Sequence, residues 1–215
     1  MQVISVNVGL PRDLSVGDRS VKSGIFKTPV HGSVRVGPLN LDGDRQADLT
    51  VHGGQYKAVY LYPSEHYPFW KQELGQQLEW GSLGENLTTA GITEEIVCAG
   101  DQLQIGSVVL QITQPRLPCF KLAAKFQRDD VIETFLNSRK TGFYTRVVHE
   151  GSLQAGDSIL LLQRDPVQLS VKELAGLYFN KQAPRAEIER ALSVTALSKS
   201  WREHFQAMLT GSRQP

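Results

Sequence analysis

The sequence predicts a mainly β body, a barrel or a sandwich, followed by a small helical tail. Three observations carry that reading. Short runs rich in β-branched and aliphatic residues recur from residue 1 to about 165, with glycine and proline between them. Few stretches of helical period interrupt them. After Pro166 the pattern changes to helix-capping signals. The two units are therefore expected at residues 1–165 and 166–215.

Gln2–Val8 alternates apolar and polar residues, as a half-buried strand does. Val34–Val36, Ala58–Tyr62, Val108–Thr113 and Ser158–Leu162 read as further short strands. GDQLQIG at Gly100–Gly106 resembles GDSILLL at Gly156–Leu162, each a Gly-Asp turn leading into a strand. Glu65–Leu74 and Asp129–Asn137 are the helices expected within the body. In the tail, Ser170-Val-Lys-Glu173 reads as a capping box for a helix running to about Phe179. Pro184 stands where a second helix starts, and Glu187–Leu192 continues it. Ser200-Trp-Arg-Glu203 reads as another capping box, ahead of a last helix containing Phe205 and Met208. Three helices of this size bury only a modest core. The tail is expected to pack on the body or on the second subunit of a homodimer.

Composition removes several classes of function. Lys and Arg total 23 against 22 for Asp and Glu, a formal net charge of +1. A near-neutral chain exerts no global attraction on nucleic acid polymers or anionic membranes, so any basic site must be local. The two cysteines, Cys98 and Cys119, make neither a disulfide scaffold nor a four-cysteine iron–sulfur site. The opening MQVISVNVG lacks the basic and apolar regions of a signal peptide. No run of about 18 apolar residues occurs, so no spanning helix is expected. A reducing, cytoplasmic setting with both thiols free is the expectation.

Four segments carry candidate chemistry. In Gln114–Lys121, QPRLPCFK, prolines on both sides of Leu117 stiffen the loop that presents Cys119. Arg116 and Lys121 supply nearby cations, and cations favour the thiolate, the form that binds metal. A small buried hydrophobe is the alternative for Cys119, and it is the preferred reading for Cys98, which has no cation nearby in sequence. In Leu41–Lys57, LDGDRQADLTVHGGQYK, the glycines Gly53 and Gly54 let backbone amides approach an anion. Arg45 and Lys57 add charge there, and Asp48 and His52 are candidate proton donors. A solvated surface hairpin is the plainer alternative for this segment. In Gly84–Thr89, GENLTT, Asn86 and Thr88 suit a ligand rich in heteroatoms or, equally, a local turn. In Thr141–Arg146, TGFYTR, a glycine turn leads to two aromatics and Arg146, as a pocket wall or as plain strand packing.

The order HGGQYKAVY, GENLTT, QPRLPCFK, TGFYTR resembles the MOSC superfamily. GIFKTPV at Gly24–Val30, with LDGDRQADLTVHGG and the Ser-Trp-Arg ending, is similar to the YiiM-type branch of that family, which carries a C-terminal three-helix extension. The resemblance runs from about Val3 to Arg202. It implies a mixed β-barrel that binds the molybdenum cofactor, with Cys119 as the protein ligand to the metal. It implies reduction of N-hydroxylated compounds such as hydroxylamino bases. Beside it stand the cofactor-site residues expected from residue chemistry: Arg45, Lys57, Arg116 and Arg146 for the phosphate with backbone donors from Gly53 and Gly54, Asn86 and Thr88 for the pterin, and Lys121 with Arg116 favouring the metal-binding thiolate. His52 or Asp48 would deliver the proton that N–O cleavage requires. With no cluster cysteines and no dinucleotide fingerprint, electrons are expected from a separate flavin or haem protein. Rival readings are a non-catalytic cofactor or sulfur carrier using Cys119, a cysteine hydrolase pairing Cys119 with His52 or His149, and a plain binding domain.

Overall fold

The computed structural model describes residues 1–47 and 53–211. Asp48 and His52 therefore lie outside the described residues. Strands β1 (Gln2–Val8), β2 (Arg12–Val16), β3 (Arg19–Ser23), β4 (Thr28–Val30) and β5 (Val34–Val36) open the chain. They are followed by β6 (Val59–Pro63), helix α1 (Tyr67–Leu74), β7 (Leu87–Ala90), β8 (Gln102–Ile105) and β9 (Val108–Pro115). Helices α2 (Phe120–Phe126) and α3 (Val131–Ser138) precede β10 (Phe143–His149), β11 (Gly151–Leu153) and β12 (Ile159–Gln163). The tail holds α4 (Val171–Phe179), α5 (Arg185–Ser193) and α6 (Lys199–Thr210).

Eight strands form one sheet in the order β12-β8-β9-β10-β6-β7-β1-β4. All its pairings are antiparallel except β6 with β7, which makes the sheet mixed. The sheet curls until the start of β1 meets the start of β12 through a single bridge, Gln2 to Ser158. A closed barrel, which the resemblance implied, is not formed among the described residues. One bridge replaces the ladder that closure requires.

Both faces of the central strands are covered, and that explains their unbroken apolar character. In β6, Val59 and Leu61 face an inner core with Val6, Leu103, Leu110, Ile112 and Phe143. Tyr60 and Tyr62 face an outer layer with Tyr67, Trp70, Leu122 and Phe135 from the three body helices. The β2–β3 hairpin and α2 escaped the sequence reading. The hairpin is mostly exposed and polar, so it shows no apolar alternation. Helix α2 spans only two turns and follows a proline pair.

The tail packs on the body. Ala99 joins Leu169, Leu174, Ile188, Ala191, Trp201 and Phe205 in a third core. Backbone bonds from Ala99 N–H to Leu169 O (3.0 Å) and from Val171 N–H to Val97 O (2.9 Å) tie it down. The capping box at Ser170 and Glu173 forms as expected. The cap of α6 is Ser198, not Ser200: its hydroxyl accepts from Trp201 N–H at 3.5 Å. Among the described residues no helix is long and apolar enough to cross a membrane.

Candidate functional site

A cleft opens on the outer face of the sheet. Its walls come from six stretches of chain. The loop between β3 and β4 contributes Gly24, Ile25 and Lys27, and the loop beyond Leu41 contributes Arg45, Gln46 and Ala47. Lys57 ends a 3-10 turn just before β6, which adds Tyr60. Gly84 and Asn86 precede β7, and Tyr144 comes from β10. The segment after β9 brings Arg116, Cys119 and Lys121. Two glycines are required by this geometry. A β-carbon on Gly24 would lie 2.3 Å from the Arg45 carbonyl oxygen. Gly84 holds φ +87°, a left-handed conformation that side chains disfavour.

Cys119 stands at the N-cap of α2 in extended conformation, half-buried, with its thiol free. Leu117 before it belongs to the tail's core, so the Pro-Cys turn is clamped between body and tail. The cations around it are held differently from one another. Arg116 is buried in the wall, where it donates to Tyr60 Oη at 3.3 Å and to the Leu83 carbonyl. Its guanidinium lies 4.9 Å from the Tyr60 ring centre and 5.5 Å from that of Phe135. Burial works against its charge, but Tyr60, Tyr144 and Cys119 outweigh burial and hold the pKa above its usual range. Burial pulls the Lys57 ammonium below its ordinary value, and the charge of Cys119 opposes that shift. Lys121 is half-exposed and Arg45 exposed at the rim.

Lys27 was not singled out from sequence, yet it lines the cleft and pairs with the buried carboxylate of Asp44. Asp44 also accepts from Gly9 N–H at 3.0 Å and from Asn86 Nδ2 at 2.9 Å. Asn86 Oδ1 in turn accepts from Tyr60 N–H at 3.1 Å. Its polar atoms are thus used within the wall. Thr88 lies behind the cleft, not in its lining. Its hydroxyl donates to Glu85 at 2.8 Å and accepts from Asn7 at 3.1 Å. Glu85 is the buried hub here, taking Gly81 N–H (2.8 Å), Leu83 N–H (3.1 Å) and the Tyr67 hydroxyl as well. No local signal marks it, because a buried carboxylate and a solvated one look alike in sequence.

The structure brings Arg45, Lys57, Asn86, Arg116, Cys119 and Lys121 together. Gly53 and Gly54 instead line a neighbouring groove with Lys57 and the start of α6, including Ser198 and Lys199. Arg146 is directed elsewhere and donates from Nε to Gln111 Oε1 at 2.7 Å. His149 is exposed at the end of β10 and does not line the cleft. Cys98 is buried, and burial pushes its thiol pKa up. A cation does reach it, however: Arg164 Nη1 lies 3.3 Å from its sulfur, placed by the fold rather than by sequence proximity.

Among the described residues no group of three or more His, Cys, Asp or Glu side chains could hold a bare metal ion. A single thiol ringed by cations fits a different arrangement. It suits a metal that arrives already ligated by an anionic organic cofactor.

Fold and cleft together define a MOSC protein, and the chain belongs to that family: the MOSC domain model matches residues 48–160. The YiiM-like 3-alpha helix domain model matches residues 169–211. The chain is 42% identical over 203 residues to the "Uncharacterized protein YflK" of Bacillus subtilis (strain 168), covering 94% of this chain and 92% of that one. It is 36% identical over 187 residues to the protein YiiM of Escherichia coli (strain K12), covering 86% and 83%. It is also 34% identical over 155 residues, 70% of this chain but 28% of the other, to a protein of Gibberella moniliformis (strain M3125 / FGSC 7600) named "Reductase". The crystal structure of YiiM from Geobacillus stearothermophilus superposes with a TM-score of 0.82 at 37% identity, covering 97% and 98% of the two chains.

Proposed function

We propose that this chain is a reductase of N-hydroxylated compounds, hydroxylamino bases among them, that works with the molybdenum cofactor held by Cys119. The observation that carries the reading is the placement of Cys119: a half-buried free thiol in a cleft whose walls hold Lys27, Lys57, Arg116 and Lys121. A deprotonated thiol is a soft, electron-donating ligand suited to such a metal. The name of the fungal relative adds support for a reductase.

The cofactor, when bound, supplies the two electrons that cleave the N–O bond. The chain's own residues bind and orient. Lys57, Lys121 and Arg45 offer the charge that a phosphate requires. Lys27 lines the same cleft, with its ammonium paired to the buried carboxylate of Asp44. Arg116 fixes the wall by bracing Tyr60 and the Leu83 carbonyl, which leaves fewer of its N–H donors for the ligand. His52 and Asp48 remain the proposed proton donors to the leaving oxygen. We place the protein in the reducing cytosol, and assign electron delivery to a separate flavin or haem protein.

Cys119→Ser tests the reading. Protein made in cells that synthesise the cofactor should carry molybdenum and pterin and reduce a hydroxylamino base. The Ser variant should lose turnover by at least about a thousandfold while its thermal midpoint stays unchanged. Full activity with molybdenum bound in the Ser variant would rule out ligation by Cys119. Tight metal without reduction by any donor would favour a carrier.

A further inference from the structure

We infer that Gln114 is a recognition residue of the cleft, whose carboxamide takes a hydrogen bond from an N–H donor of a bound nitrogen heterocycle. The inference rests on the reading that this cleft takes a pterin and a base. Among the described residues, Gln114 Oε1 is the one buried side-chain nitrogen or oxygen without a hydrogen-bond partner. Buried polar groups almost always find partners, so an orphan calls for a physical explanation.

The strand register shows where the residue faces. Gln114 on β9 stands opposite Tyr144 on β10, and Tyr144 stands opposite Tyr60 on β6. Residues opposed in an antiparallel ladder project to the same face. Tyr144 and Tyr60 both line the cleft, and so does Arg116, two residues further along from Gln114. A β-bulge causes this. The pairing moves from Tyr144–Gln114 to Thr145–Ile112, so β9 advances two residues while β10 advances one. Ile112 faces the inner core. Without the bulge Gln114 would share that face; with it, the amide turns to the side of the cleft. Thr113, the extra residue, is anchored by its hydroxyl to the Tyr56 and Tyr144 carbonyls at 2.7 and 3.0 Å.

Gln114 is 3% exposed and stands on the same face of the sheet as Tyr144, one layer beneath the residues that line the cleft. Recognition would require a side-chain rotation that turns the amide into the cleft, where the carboxamide offers both an acceptor and a donor. An N–H from a heterocycle would satisfy the oxygen that the protein leaves bare. Two sources share that chemistry: the pterin ring and a substrate base.

The test compares wild type with Gln114→Leu, similar in length but apolar, both made with cofactor. Pterin and molybdenum content, thermal midpoint, and calorimetric affinity for adenine as the amino product of a hydroxylamino base are measured together. The expected result is an unchanged or higher midpoint in Gln114→Leu, because the orphan acceptor is gone. With it comes either about tenfold weaker adenine binding at equal cofactor content, or about tenfold lower pterin retention. The first assigns the donor to the base and the second to the pterin. Equal adenine affinity and equal pterin content would overturn the inference. So would a clearly lower midpoint, which would make the amide a structural group. A wild type that retains pterin and binds adenine but reduces no N-hydroxylated compound sinks the reductase reading and leaves the Gln114 comparison valid. A wild type that binds neither overturns both.

Discussion

Lys125 donates to the carbonyl oxygens of Ile25 (3.2 Å) and Ser82 (2.6 Å) behind the cleft wall, a cation tucked among backbone groups rather than carboxylates. Burial is the main cause that brings its pKa down to about 8. Glu85 resists, while Arg116, Arg12 and Lys27 reinforce. In the unfolded chain the same ammonium keeps its proton to about 10.5. Between those values the unfolded state binds more protons, so stability rises with pH across that window. The contribution is at most about 3 kcal/mol. Tyr60, Tyr62, Tyr67 and Tyr144 have raised pKa values because burial disfavours the phenolate, and they act in the opposite sense above about pH 10. Comparing wild type with Lys125→Met from pH 7 to 9.5 isolates the lysine. The wild type should gain stability relative to the variant as pH rises, and a constant difference would refute the assignment. Cys119 was legible in sequence because proline and cations crowd it locally. Lys27, Glu85 and Gln114 were not, since their roles depend on partners far away in sequence or on a bulge in the strand register.

At the scale of elements, capping chemistry divides the tail's two serine signals. Ser170 accepts from Glu173 N–H at 3.1 Å, and the Glu173 carboxylate reaches back to Ser170 N–H at 2.8 Å. Ser198 accepts from Trp201 N–H at 3.5 Å. Ser170→Ala and Ser198→Ala should each cost about 1 kcal/mol in urea denaturation. Ser200→Ala should stay within about 0.5 kcal/mol. A larger loss at position 200 than at 198 would restore the cap that local pattern suggested. Ser198 and Ser200 both stand at the start of α6, and a two-residue offset cannot be resolved without backbone dihedrals. Strands told the same story. β1 was legible from its alternation, although its polar residues Ser5 and Asn7 are buried in a hydrogen-bonded network, whereas β10 shows weak alternation and lies between β9 and β6.

For the whole molecule, the proposed chemistry needs a route for electrons into the cleft from outside the chain. Cofactor-loaded protein given reduced nicotinamide alone should not turn over a hydroxylamino base. Addition of a reduced flavin or haem protein should start the reaction. Robust turnover with nicotinamide alone would remove the need for a partner. Fold class, the change to helix-capping signals after Pro166 and the proline-flanked placement of Cys119 were all present in the order of residues, because periodicity, capping and proline stiffening act over a few positions. The open curl of the sheet, the gathering of Lys27, Lys57, Arg116 and Cys119 in one cleft, and the diversion of Arg146 and Gly53-Gly54 away from it came from long-range strand pairing. Such pairing joins residues dozens of positions apart, and a one-residue change in register sends a side chain to the opposite face.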